Sequence, residues 1–339
     1  MSNIPPHSHL AGFHDFSPPA DDFRAAVLEG LAKSRKAVPS KFIYDTEGSH
    51  LFEAIPTLDE YYQTRTEIAL LKAHAPEIMA LAGPGCYLVD YGSGSGEKSR
   101  ILLDALDAPA AYVPLDISAD HLAAAAELIA ADYPAVAVHA VAADFLGDFK
   151  LPDIPEAQDG RRLGFFPGAT IGNFTLDEAV LFLNQAQMML TGGSLLIGVD
   201  LKKDITILEA AYNDSRGVSA AFNLNLLGRI NRELGGDIDV SKFRHAAVYD
   251  ADQGRMEIGI RALAGQAITI EGQGFTLRQD EIIHTQHAYK FTIEEFSVLA
   301  ERAGFAVKHA WVDDDGLYGL FYLDALSSHS SSREAVAST

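Results

Sequence analysis

The stretch YLVDYGSGSGEKSRILLDAL, residues 87–106, carries an apolar strand into a helix through glycines at 92, 94 and 96. A strand that turns this tightly into a helix reaches its parallel neighbour only by a crossover, so the surrounding chain must alternate strand and helix. It does. CYLVDYG, AYVPLDIS, AVAVHAVAADF, RLGFFPGATIGNF and GSLLIGVDL are separated by the helical patterns EKSRILLDAL, ADHLAAAAELIAADY and DEAVLFLNQAQMML. The pattern predicts an α/β fold with a Rossmann-like, mainly parallel sheet covered by helices on both faces. Further on, IEEFSVLAERAGF, VKHAWVDDD and YGLFYLDAL read as helix, strand, strand, an antiparallel hairpin that closes the sheet.

After Leu201 the rhythm breaks into two helical segments, ITILEAAYND and GVSAAFNLNLLGRINREL, followed by the strand-like FRHAAVYD, MEIGIRALAG and QAITIEG. We expect residues 202–280 to form an inserted α+β lobe, with the core built from 21–201 and 281–327. Residues 1–20 have the Pro, His and Ser content of a flexible arm, and 328–339 that of a disordered tail.

A net charge of −21 repels nucleic acid and anionic membranes, so neither is an expected partner. The single cysteine, Cys86, forbids an intrachain disulfide and opens an apolar run, where it reads as a small buried hydrophobe. With no apolar stretch of membrane length, the expectation is a cytoplasmic protein; a monomer is expected. The histidines form no metal-ligand spacing, and no metal is expected.

The glycine loop narrows the cofactor. A dinucleotide fingerprint needs its third glycine at position 97, which is Glu97. The pattern Asp90-x-Gly92-x-Gly94-x-Gly96 suits S-adenosylmethionine, which has no pyrophosphate to seat on the helix. Asp116 ends the next strand, where a carboxylate accepts both ribose hydroxyls. Asp144 and Phe145 end the one after, where an acid accepts from the adenine amine and an aromatic packs on the ring. Read alone, each has a plainer alternative: a tight turn, a helix cap, a loop acid beside a core Phe. Three strand ends in order favour the methyl donor.

The blocks KFIYDTEGSHLFEAI, EYYQTRTE, GSGSGEKSRILLDAL, GATIGNF, AYNDSRGVSAAFNLNLLGRINREL and HTQHAYKF, spread over residues 41–326, resemble the histidine-specific Nα-methyltransferases that trimethylate L-histidine to hercynine in ergothioneine biosynthesis. The resemblance implies a class I methyltransferase core with a seven-stranded sheet and an inserted substrate lobe. It implies that Tyr44, Gly92, Ser93, Gly94, Lys98, Asp116, Asp144 and Phe145 surround the cofactor. Tyr61, Gly168, Asn173 and Tyr212 would then hold the amino acid's carboxylate and amine, with Tyr44, Tyr61 and Asn173 orienting the amine for attack. In HTQHAYKF the family usually has glutamate and serine where this chain has Gln286 and Ala288, the positions that meet the imidazole. Ile258 stands where the family can carry a longer side chain. Two other readings stand beside histidine methylation: the same chemistry on a different amino acid or amine, and a ligand-binding sensor without activity. His284 and His287 have two readings: they compensate for the missing imidazole contacts, or they alternate along one strand, one facing in and one out.

Overall fold

The computed structural model describes residues 9–17, 23–147, 149–157 and 160–326. Its strands are β1 (Gly12–Asp15), β2 (Tyr87–Tyr91), β3 (Ala111–Asp116), β4 (Ala137–Ala142), β5 (Arg162–Phe166), β6 (Ser194–Asp200), β7 (Phe243–Asp250), β8 (Arg255–Ala262), β9 (Gln266–Ile270), β10 (Gln273–Leu277), β11 (Ile282–Tyr289), β12 (Phe305–Val312) and β13 (Tyr318–Ala325). The chain divides into two compact units. One holds Thr66–Leu201 with the described parts of 1–20 and 291–339; the other holds the described parts of Asp21–Arg65 and Lys202–Lys290.

The first unit is built on a sheet in the order β1-β4-β3-β2-β5-β6-β13-β12. β2 to β6 pair in parallel, while β13 runs antiparallel to both β6 and β12. This order and these directions are those of the core that the resemblance implies. Strands β2, β3, β5 and β6 are buried at almost every position, as required of strands covered on both faces. Leu88, Tyr112, Phe165, Leu196 and Leu320 anchor its core. Two of the covering helices begin with reciprocal caps, Thr175 with Glu178 and Thr292 with Glu295.

The sheet has eight strands among the described residues, one more than expected. Residues 12–15 of the presumed arm pair in parallel with β4, from Gly12 against His139 to Asp15 against Ala142. The close approach explains Gly12, where a Cβ would fall 2.6 Å from His139 Nδ1. The expected disordered tail, 328–339, lies outside the described residues.

The second unit packs β11, β8 and β7 as an antiparallel sheet in that order, with a separate β9–β10 hairpin. Glu271 and Gly272 turn the hairpin, both at positive φ, as a two-residue connection between twisted strands requires. Two boundaries differ from the sequence reading. β11, assigned there to the core, completes the lobe sheet because it pairs with β8. Residues 23–65, also assigned to the core, bury Val27, Leu31, Phe42 and Ile55 against Phe222, Leu226, Ile260 and Ile283 of the lobe. Within that segment Thr46–Ala54 is a helix, started by the Asp45 carboxylate accepting from Gly48 N–H at 2.8 Å.

Candidate active site

In the sheet unit the expected cofactor residues end or directly follow parallel strands, where open α/β sheets bind ligands, except Lys98, which lies in helix Glu97–Ala105. Gly92, Gly94 and Gly96 have φ of 76°, 51° and 73°, a region costly for any residue with a Cβ. Gly96 is also constrained sterically, since a Cβ would fall 2.4 Å from Ile129 Cδ1. Gly94, by contrast, faces open space. Asp90, just before the loop, has no exposed surface and accepts from the Ser99 hydroxyl and from Tyr112 Oη at 2.7 Å, both on Oδ2. Burial pushes its carboxyl up to about 6 against those stabilising bonds. Its other oxygen, Oδ1, is buried with no hydrogen-bond partner. An acceptor so placed beside an open glycine turn fits a ligand bearing an ammonium group, and S-adenosylmethionine carries one.

Asp116 uses Oδ1 to accept from Ser118 N–H at 3.0 Å, closing the turn into the next helix. Asp144 does the same for Leu146 N–H at 2.9 Å. The Phe145 ring lies 5.7 Å from both Phe166 and Phe182, edge-on to each, at the margin of an aromatic cluster. Lys98 is engaged by Glu67, a buried carboxylate that the sequence reading missed. Glu67 also accepts from Gly168 N–H, 2.9 Å from each oxygen, and from Tyr318 Oη at 2.9 Å. Its signal was readable: it occupies the apolar stripe of helix Tyr62–Ala82 with Leu70, Leu71 and Ile78.

Gly168 and Ala169 both adopt positive φ after β5, and the following turn, Thr170–Asn173, leaves Asn173 exposed. Asn173 does not cap the helix behind it. Thr175 does, accepting from Glu178 N–H at 3.2 Å while Glu178 accepts from Thr175 N–H at 2.8 Å.

In the second unit Tyr44 sits edge-on to Phe52 and Phe222, each at 5.1 Å. Its surface is 39% exposed, yet the phenol lies deep among surrounding atoms, and desolvation pushes it up to about 12. Tyr44 is therefore a donor and an aromatic wall at neutral pH, not a base. Tyr61 packs on the lobe core. Tyr212 Oη accepts from the buried Lys290 at 2.8 Å. The Tyr212 carbonyl accepts from His245 Nε2 at 2.8 Å, while His245 Nδ1 meets Asn223 Nδ2 at 3.0 Å. Burial lowers the His245 pKa and keeps the ring neutral, and its two partners select the Nε2–H tautomer.

Ile258 and Ala288 share a small apolar cluster with Leu208, Ala247 and Met256, against which Tyr212 packs. Gln286 pairs directly across from Ile258, so it shares that face. The histidines do not alternate as expected. A bulge at Thr285 breaks the period of two, placing His284 and His287 together on the opposite face with ring centroids 6.0 Å apart. His284 Nε2 approaches Glu257 Oε2 there at 2.9 Å. The bulge has a polar cause: the Thr285 hydroxyl donates to Asn223 Oδ1 at 2.8 Å.

Among the described residues no group of His, Cys, Asp or Glu could hold a metal ion, and no helix is long and apolar enough to cross a membrane. The chain is 39% identical to the histidine N-alpha-methyltransferase of Mycolicibacterium smegmatis, over 92% of this chain and 97% of that one. It is 40% identical to the enzyme of the same description from Mycobacterium tuberculosis, over 88% and 93%. A more distant relative, the L-tryptophan methyltransferase of Psilocybe serbica, is 26% identical over 89% and 92%. Residues 23–325 match the profile of the histidine-specific, SAM-dependent methyltransferases. With this match across nearly its whole described length and 39–40% identity to two enzymes of that description, the chain belongs to that family.

Proposed function

We propose that this enzyme transfers methyl groups from S-adenosylmethionine to the α-amino group of L-histidine, repeating the step to give the trimethylated betaine, hercynine, of the ergothioneine pathway. The observation that carries the substrate is the likeness to two histidine N-alpha-methyltransferases at 39–40% identity over nearly their full lengths. A relative in Neurospora crassa, 28% identical, is described as ergothioneine biosynthesis protein 1; this chain spans 33% of its length.

S-adenosylmethionine supplies a methyl group on a sulfonium, activated for in-line displacement. Gly92, Ser93 and Gly94 would receive its methionine end, Asp116 its ribose hydroxyls, and Asp144 and Phe145 its adenine, with Lys98 at the helix that opens beside them. Tyr61 and Tyr212 are assigned to the substrate carboxylate, because a phenol donates to an anion without burying a fixed positive charge. Gly168 has its N–H committed to Glu67, so its carbonyl is the group left to accept from the amine, together with the Asn173 side-chain oxygen. Tyr44 keeps its proton, so it orients rather than deprotonates, and the amine's proton passes to solvent. Placing two reactants in attack geometry supplies on the order of 7–11 kcal/mol, more than any single acid or base would. Ile258, Gln286 and Ala288 would meet the side chain.

Purified protein, S-adenosylmethionine and each common amino acid in turn, followed by product mass, test this reading. Histidine gaining three methyl groups is the expected result. Methylation of another amino acid in its place would refute the substrate.

A further inference from the structure

Glu67 gathers groups from separate parts of the sheet unit. Lys98 stands at the start of helix Glu97–Ala105, which the glycine loop opens; Gly168 begins the turn after β5; Tyr318 starts β13. A carboxylate with no exposed surface is tolerated only when fully paired, and this one is met by an ammonium, a phenol and a backbone N–H. The fold also keeps room for it. A Cβ on Gly198 in β6 would fall 2.1 Å from Glu67 Oε1 and 2.3 Å from Tyr318 Oη, although Gly198 has no positive φ to require glycine.

We propose that Glu67 is a positioning residue, which fixes the Gly168 turn relative to the glycine loop and so sets where the substrate amine is held. The proposal rests on the assignment of Gly168 to the amine. Glu67 anchors the N–H of a turn in which Gly168 and Ala169 both have positive φ, an uncommon state for Ala. Through Lys98 the same carboxylate grips the helix that follows the cofactor loop. A one-ångström error in amine placement costs turnover without weakening either ligand's binding in proportion.

Two variants separate this role from a folding role. Glu67→Gln keeps an acceptor for Gly168 and Tyr318 but removes the charge opposite Lys98. Gly198→Ala removes no functional group but displaces the carboxylate. Both are to be melted, titrated with S-adenosylmethionine by calorimetry, and assayed for kcat and KM on histidine. The expected result is a kcat lower by about 100-fold in Glu67→Gln and about tenfold in Gly198→Ala, with cofactor affinity and KM within about threefold of the parent. A folded variant of either kind with parental kcat overturns the proposal, as does a loss explained entirely by weaker cofactor binding. Should Glu67→Gln not fold, Gly198→Ala decides; failure of both to fold makes Glu67 a folding residue and also overturns it. If the parent methylates a different amino acid, the histidine reading fails alone and the ratios are measured on that substrate. A parent that methylates none overturns both.

Discussion

The two units impose chemistry in different ways. In the sheet unit the candidate cofactor residues are set by backbone: three glycines at positive φ and carboxylates at successive strand ends. In the lobe the candidate substrate wall is set by side chains on a bulged strand, Gln286 and Ala288 beside Ile258. Only the second set departs from the pattern that the resemblance to the family implies. A backbone cradle restricts what can change around it, whereas a side-chain wall is altered one residue at a time with the sheet intact. The methyl-donor half is thus the fixed part of the design and the lobe its adjustable part.

The sharpest way to break that comparison is at Asn173, which belongs to the sheet unit but is assigned to the substrate. Asn173→Ala should lower kcat by about 100-fold while leaving cofactor affinity unchanged. Stability should move by less than about 0.5 kcal/mol, because the residue is exposed and Thr175 caps the helix. Near-parental turnover would remove Asn173 from the amine site and leave the sheet unit with the cofactor alone.

How much was readable follows the same division. The strand ends, the closing hairpin and the glycine loop were legible because period and glycine spacing report backbone geometry directly. The bulge at Thr285 was not, since a period of two assigns His284 and His287 to opposite faces, and the bulge, with its Thr285–Asn223 hydrogen bond, reverses this. Asn223, like Glu67, is a polar residue on an apolar helical stripe, between Ser219 and Leu226. Such residues carry a usable signal that a motif search passes over. The eighth strand was hidden by composition: Gly12–Asp15 is too short and too polar to register as a strand until β4 offers it an edge.

Asp90 offers a pH test of the sheet unit. Folding raises its carboxyl to about 6, so between an unfolded value near 4 and that point the folded chain holds more protons than the unfolded one. Stability from this group therefore falls as pH rises through the window, by about 2–3 kcal/mol in all. Asp90→Asn should flatten that slope in denaturant unfolding measured from pH 4 to 8. An unchanged slope would mean that Asp90 ionises in the fold as it does in water.

The lobe is probed by restoring the missing charge. Gln286→Glu should lower KM for histidine roughly tenfold near pH 6, where a large share of imidazole is protonated, through a charge-assisted bond of about 1.5–3 kcal/mol partly offset by carboxylate burial. At pH 8, with imidazole neutral, the gain should shrink. KM at the two pH values, with kcat alongside, separates this from a general effect on the sheet. An equal change at both would place residue 286 away from the imidazole.

The smallest expected effect is the most specific to the lobe. Thr285→Val keeps side-chain shape but leaves Asn223 Oδ1 buried without its donor, at a cost of about 1–3 kcal/mol. The loss travels along a defined chain, because Asn223 also holds His245, and His245 holds the Tyr212 carbonyl. If the bulge is what aligns Gln286, Ala288 and Tyr212, the variant should lose selectivity for histidine over other amino acids by a few fold, beyond any drop in melting temperature. Thr285→Ser, which keeps the hydroxyl, should recover it. A Val variant that is less stable but equally selective would show that the bulge supports the fold without shaping the pocket, and the lobe would then owe its specificity to the side chains alone.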